Sequence, residues 1–266
     1  MIDYGASRDV VLVSGISGSG KTSFCLRLLA NTKAPYRFIW DPDAQLSNRL
    51  GMACAQDEAE LSCSIETGWV IYDPNSMFPG RHAEGFAWFA GWVFSTCAHL
   101  QGRKWLLVDE VWRYCNNLTI PAPLAECVQT GRVRGLSCVF ATQRPNRLNE
   151  SILNEVTEVV GFRTQGPNAL RILQDLGLDC DRVAELPKGA FLSKCIDGRE
   201  NGGSLWPSAS SSKTQDPVSK RESTVGVPSV RADPEGDQNG TGKTKCSENL
   251  SPSSVHSSSP SSPSSS

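Results

Sequence analysis

An α/β sandwich around a mostly parallel central sheet is the fold class this sequence predicts, on three observations. Short apolar runs rich in β-branched residues alternate with segments whose apolar residues recur at helical spacing, the pattern of strand and helix units stacked in layers. A glycine-rich loop joins the first of those strands to the first helix, and a later strand ends in two adjacent carboxylates. The composition then changes sharply near Asn201, which places a folded domain over residues 1–200 and a Ser/Pro-rich tail, expected to be disordered, over 201–266.

In chain order, Val10-Val-Leu-Val13 predicts a buried strand, and Ser23 to Ala30, apolar at 24, 25, 28 and 29, predicts a helix. Tyr36–Trp40 and Gly68–Tyr72 read as strands, each stopped by an Asp-Pro pair, with helical segments between them at 46–50 and 56–61. Residues 86–100, the most apolar and aromatic stretch, are too short for a membrane span, which wants about 20 residues, and predict a helix packed on the sheet. Lys104-Trp-Leu-Leu-Val-Asp-Glu110 is a strand, 121–134 a helix ending in a basic loop, and 136–145 a strand with Thr142 and Gln143 emerging at its end. A short helix at 151–155, a strand at 156–162 and a helix at 168–176 follow, and Lys188-Gly189 is expected to turn a closing hairpin.

Gly15-Ile-Ser-Gly-Ser-Gly-Lys-Thr-Ser23 satisfies GxxxxGK[ST] in full and has the strand before it and the helix after it that the motif needs. Gly15, Gly18 and Gly20 let the backbone bend with its N–H groups inward, around Ile16, Ser17 and Ser19, and the helix start adds its dipole, so the loop forms an anion cradle. In this setting Lys21 is expected to reach the β- and γ-phosphates of ATP and Thr22, followed by Ser23, to ligate Mg²⁺. Asp109 is expected to hold the Mg²⁺ shell, Glu110 to deprotonate the attacking water, and Gln143 to sense the γ-phosphate. A second GKT, at 242–244, has Asp237 where the motif needs glycine, and is a decoy.

The formal net charge of −2 weakens a nucleic-acid reading without removing it, because a ring can bind DNA through a few basic residues lining its pore. The ten cysteines form no CxxC pair, and with three scattered histidines they exclude a clustered zinc site and predict reduced, buried thiols in a cytoplasmic setting. The first nine residues lack a signal-peptide pattern, so export is not expected.

The P-loop strand, the Asp-Glu strand, Gly131-Arg-Val-Arg-Gly135 and Phe140-Ala-Thr-Gln-Arg-Pro145 together resemble the FtsK/HerA branch of P-loop ATPases. Gly161-Phe-Arg163 and Leu186-Pro-Lys-Gly-Ala-Phe191 extend the resemblance, which covers roughly residues 9–197. It implies a RecA/ASCE-like three-layer sandwich and a motor, usually a hexameric ring, that moves double-stranded DNA. The compact size is most similar to the genome-packaging ATPases of tailless internal-membrane viruses, which implies a membrane-protein partner at a portal and no integral membrane segment of its own. The resemblance also implies an arginine acting on the neighbour's γ-phosphate, matched here by Arg132 and Arg134, with Arg163 a weaker match. Two other functions fit the P-loop: an assembly or secretion ATPase that moves protein at a membrane, and a small P-loop kinase.

Overall fold

The computed structural model describes residues 9–205. Six strands run parallel: β1 (Val10–Ser14), β2 (Tyr36–Trp40), β3 (Trp69–Tyr72), β4 (Lys104–Val108), β5 (Leu136–Thr142) and β6 (Glu158–Phe162). β7 (Ala190–Cys195) and β8 (Glu200–Ser204) add an antiparallel edge, and the order across the sheet is β3-β2-β4-β5-β1-β6-β7-β8.

Strand side chains alternate between faces, and the core divides accordingly. Val11, Val13, Ile39, Leu107 and Val139 pack against α1 (Lys21–Asn31) and α2 (Gln45–Leu50). Their neighbours Val10, Leu12, Phe38, Leu106 and Cys138 face α3 (Glu58–Ser64), α4 (His82–Cys97) and α5 (Ala122–Gln129), with Ile152 of α6 (Glu150–Leu153) joining them. A smaller cluster seats α7 (Pro167–Asp175) and α8 (Cys180–Glu185) against Val159. The aromatic stretch forms α4, whose buried Phe86, Phe89, Val93 and Cys97 recur at helical spacing. Phe89 stacks on Tyr72 with centroids 5.2 Å apart, and Phe86 meets Trp40 edge-on at 5.4 Å. No helix among the described residues is long and apolar enough to cross a membrane. Among the described residues no cysteine is joined in a disulfide.

Two expectations are corrected at the end of the domain. The closing hairpin turns at Asp197-Gly198, between β7 and β8, rather than at Lys188-Gly189. The folded region also runs past the boundary expected at residue 200: Glu200–Ser204 is a paired strand, and Leu205 is buried at 8 % exposure. Its sequence, Glu200-Asn-Gly-Gly-Ser204, has linker composition, but the backbone ladder to β7 needs no apolar side chains, and Phe191 lies over Gly203, where an added Cβ would come within 3.0 Å of the ring. The short α8, capped by the Asp179 carboxylate on the Arg182 amide, has no counterpart in the sequence reading. The remainder of the tail and the second GKT lie outside the described residues.

Candidate active site

Parallel strands place their carboxyl ends on one edge of the sheet, the edge at which open α/β folds bind ligands. Here that edge carries the glycine loop after β1, Asp41 to Asp43 after β2, Asp109 and Glu110 after β4, and Gln143 after β5. These segments enclose a cavity of about 540 Å³, lined on the loop side by Ser17, Gly18, Gly20, Lys21, Thr22 and Ser23.

The loop is anchored at its base. The Gly15 amide donates to the Thr142 carbonyl at 3.3 Å, the Ile16 amide to the Arg163 carbonyl at 2.9 Å, and the Ser19 amide to the Ile16 carbonyl at 3.2 Å. A Cβ on Gly15 would lie 2.7 Å from Phe162 Cβ and from Ser19 Oγ, so only glycine fits there. Gly20 has φ 117°, a left-handed conformation that glycine tolerates, and caps α1 without any side-chain hydrogen bond. The first turn of α1 therefore presents amides that no cap satisfies, at the positive end of the helix dipole. A glycine-shaped cradle, uncapped amides and a lysine at its rim form a donor set that fits a polyphosphate.

Lys21 is buried, and its ammonium donates to the Ile16 carbonyl at 3.2 Å and stands 3.9 Å from Glu110 Oε1. Burial pushes the Lys21 pKa below its usual 10.5, and the nearby Glu110 and Asp109 carboxylates partly offset this. The Thr22 hydroxyl donates to Asp109 Oδ2 at 2.8 Å. Burial raises the Asp109 carboxyl above its usual range, with the Thr22 hydrogen bond pulling the other way. This hydroxyl–carboxylate pair at the foot of the loop fits a magnesium ion that takes most of its remaining ligands from phosphate and water, and no larger metal cluster of His, Cys, Asp or Glu exists among the described residues.

Glu110 occupies the left-handed region at φ 47°, which costs a non-glycine residue on the order of 1–3 kcal/mol and persists only where the surroundings hold it. Three donors hold it: Gln143 Nε2 to Oε1 at 2.7 Å, the Gln143 amide to Oε2 at 3.1 Å, and Trp112 Nε1 to Oε2 at 2.7 Å. Oε2 thus accepts two hydrogen bonds, while Oε1 keeps a free lone pair on the side of Lys21. β5 lies between β1 and β4, which is why its terminal Gln143 reaches Glu110.

The structure brings together all of the expected residues except the side chains of the three arginines. Arg132 and Arg134 sit on the 3₁₀ turn Gly131–Arg134 that enters β5 at its amino end, a strand length of about 20 Å from the loop. Within one chain they take no part in the cavity. Arg134 is committed elsewhere: it donates to the Phe94 carbonyl and its guanidinium lies 3.6 Å from the Phe94 ring centroid, whereas Arg132 is exposed. Arg163 reaches the loop through its carbonyl, its side chain being exposed.

Asp41, Asp43, Arg49 and Arg113 line the cavity without having been singled out in the sequence, and three further contributors stand beside them. Trp112 carried no motif. Lys188 lines the cavity from the turn before β7, where it read as hairpin. Leu205 places Cδ1 where a Cβ on Gly20 would sit, 2.7 Å away, and its backbone is held by the Gly189 carbonyl and by Arg27, which donates to the Leu205 carbonyl at 2.7 Å.

No protein-family model matches the chain, and no curated protein matches its sequence. Solved structures do match its fold. The genome packaging NTPase B204 of Sulfolobus turreted icosahedral virus 2, in complex with AMPPCP, is 20 % identical, with a TM-score of 0.55 over 73 % of this chain and 96 % of that one. The same NTPase in complex with ATP-gammaS gives 19 % and 0.54 over 74 % and 97 %. VirB4 of Thermoanaerobacter pseudethanolicus gives 9 % and 0.55 over 75 % and 90 %. The chain therefore has the α/β fold shared by a viral genome packaging NTPase and VirB4.

Proposed function

We propose that this protein is an Mg²⁺-dependent ATPase that drives movement of double-stranded DNA, acting as a ring-shaped homo-oligomer in the packaging of a viral genome. The observation that carries the hydrolytic part is Glu110, held by Gln143 and Trp112 with Oε1 turned toward Lys21. A kinase has no need of a second carboxylate beside the metal-binding aspartate, whereas hydrolysis needs a base for water.

The residues divide the work as follows. Amides of Gly18 and of Gly20 to Ser23 cradle the β- and γ-phosphates, those of Gly15, Ile16 and Ser19 being bonded to carbonyls at the base of the loop, and Lys21 turns from the Ile16 carbonyl to the phosphate oxygens. Thr22 and Asp109 hold Mg²⁺, which supplies charge neutralisation on the phosphates. Glu110 takes the proton of the attacking water at Oε1 while the water oxygen bonds to the γ-phosphorus and the bond to the bridging oxygen breaks, its electron pair leaving with ADP. Gln143, bonded to that carboxylate, senses whether the γ-phosphate is in place. A further positive charge on the transferring phosphoryl group, beside those of Lys21 and Lys188, comes in this reading from a neighbouring copy, with the exposed Arg132 as the candidate, Arg134 being engaged with Phe94.

DNA as the object of the motor rests on the fold shared with genome-packaging NTPases and on the Thr142-Gln-Arg-Pro145 segment. Reduced thiols fit a cytoplasmic setting. The test is the ATPase rate with and without duplex DNA, together with particle mass in the presence of an ATP analogue. Stimulation by duplex and an oligomeric mass support the reading; turnover indifferent to DNA removes the motor part. The cavity also extends past Glu110 to Asp43 and Arg113, paired at 3.1 Å, a compartment in which a phosphoryl acceptor would sit. Transfer of phosphate to a small acceptor would select the kinase reading.

A further inference from the structure

Glu110 Oε2 is held by an indole that belongs to a second constellation outside the ATP cavity. Trp112 is half-buried and two arginines lie over its ring, Arg144 at 4.8 Å and Arg147 at 5.5 Å from the centroid. The local backbone explains why both arrive together. Pro145 is buried and starts a single 3₁₀ turn, Pro145–Arg147, in which the Arg147 amide donates to the Arg144 carbonyl at 3.0 Å. Residues three apart in such a turn project on the same side. Both arginines are exposed, and neither forms an ion pair with a carboxylate among the described residues. None of the three residues lines the ATP cavity, although Glu110 and Gln143, their immediate neighbours, do.

We infer that Arg144, Trp112 and Arg147 form a contact site for the phosphodiester backbone of a nucleic acid, linked to Glu110 through the Trp112 indole N–H. The chemistry favours backbone over base. Guanidinium forks match phosphate oxygens, and the indole ring, already carrying the two guanidinia, has little face left on which a base can stack. Contact is therefore independent of sequence. A phosphate strand engaging both arginines fixes the stack and keeps the indole N–H on Oε2, which leaves Oε1 as the proton acceptor facing Lys21. Trp112 is a positioning residue in this scheme: it touches neither ATP nor water.

This inference rests on the DNA-motor reading above, and the experiment separates the two. Binding of a labelled 30-base-pair duplex to the full chain with an ATP analogue is measured across salt concentrations, with ATPase rates alongside, for wild type, Arg144→Gln/Arg147→Gln and Trp112→Phe. The double variant is expected to bind duplex at least tenfold more weakly, with a salt slope shallower by about 2, one ion for each phosphate no longer neutralised. Trp112→Phe keeps a ring under the guanidinia and removes only the N–H. It is expected to bind duplex within threefold of wild type, to lose about tenfold in kcat with KM for ATP unchanged, and to lose stimulation by DNA.

Wild type that binds duplex while the double variant binds equally tightly, with the same slope, overturns the contact site and leaves the motor reading standing. Wild type that hydrolyses ATP without binding duplex overturns both the contact site and the DNA part of the motor reading, and leaves the hydrolase. Trp112→Phe with full kcat and full stimulation overturns the link to Glu110.

Discussion

The glycine loop and the Asp109–Gln143 corner face each other across one cavity, yet the first is shaped by main chain and the second by side chains arriving from two strands. In the loop, Gly15 and Gly20 stand where no Cβ fits, and the donors presented to the cavity are amides fixed by the fold. In the corner, Glu110 sits in an unfavourable backbone conformation and owes its orientation to Gln143, 33 residues away in sequence, and to Trp112. A site half made of backbone tolerates loss of single side chains in its shape and fails in its charge. A half made of side chains fails in its geometry, one bond at a time.

The largest expected effect lies in the corner. Glu110→Gln keeps size and hydrogen-bonding reach but cannot take a proton, so kcat should fall by about 10²–10⁴ while ATP-analogue affinity stays within a few-fold. Single-turnover hydrolysis and a binding titration check this, and near-normal turnover would dismiss Glu110 as the base. On the loop side the order should reverse. Lys21→Ala removes a charge-assisted contact of about 1.5–3 kcal/mol, so affinity for an ATP analogue should weaken by about 10- to 150-fold. An unchanged dissociation constant would mean that amides alone hold the phosphates.

pH sharpens the same contrast. Burial favours the neutral amine of Lys21, and only the ammonium attracts phosphate. Affinity should therefore be full below the lowered Lys21 pKa and be lost as pH rises through it, with a midpoint below the ordinary lysine value of 10.5. Titration of ATP-analogue binding between neutral pH and pH 10.5 checks the sign, and a flat profile would contradict it. The smallest effect expected is that of Leu205→Ala. Emptying the space over Gly20 should lower stability by about 1–2 kcal/mol, less than a full core truncation because the site is at the rim, and weaken nucleotide binding a few-fold. Thermal unfolding with and without the analogue measures both.

The contrast also accounts for what the sequence disclosed. The loop was legible because an anion cradle of this form requires glycine at fixed spacings next to a strand and a helix, and spacing is a property of sequence. Asp109 and Glu110 were legible as the end of an apolar strand, and Gln143 as a polar residue emerging at a strand end. Trp112 was not, because an indole two residues past the carboxylates gains its role only when the chain returns it to Glu110 Oε2 and places Arg144 and Arg147 over its ring. Arg132 and Arg134 drew notice as a basic loop, but distance along β5 and the Phe94 contact keep them from this chain's own cavity. β8 was hidden by composition: Gly202 and Gly203 read as linker while serving as a flat surface for Leu192 and Phe191.

Leu205 gives that last point a practical edge. Composition would have a protein engineer trim the chain at residue 200, and that cut would look harmless because it removes mostly glycine and polar residues. It would also pull a cork from behind the phosphate loop, since Arg27 grips the Leu205 carbonyl across 178 residues of sequence and the side chain plugs the hollow at Gly20. A shortened form prepared for crystallisation or assay should run at least through residue 205, so that any weakness in binding an ATP analogue can be traced to the loop and not to the scissors.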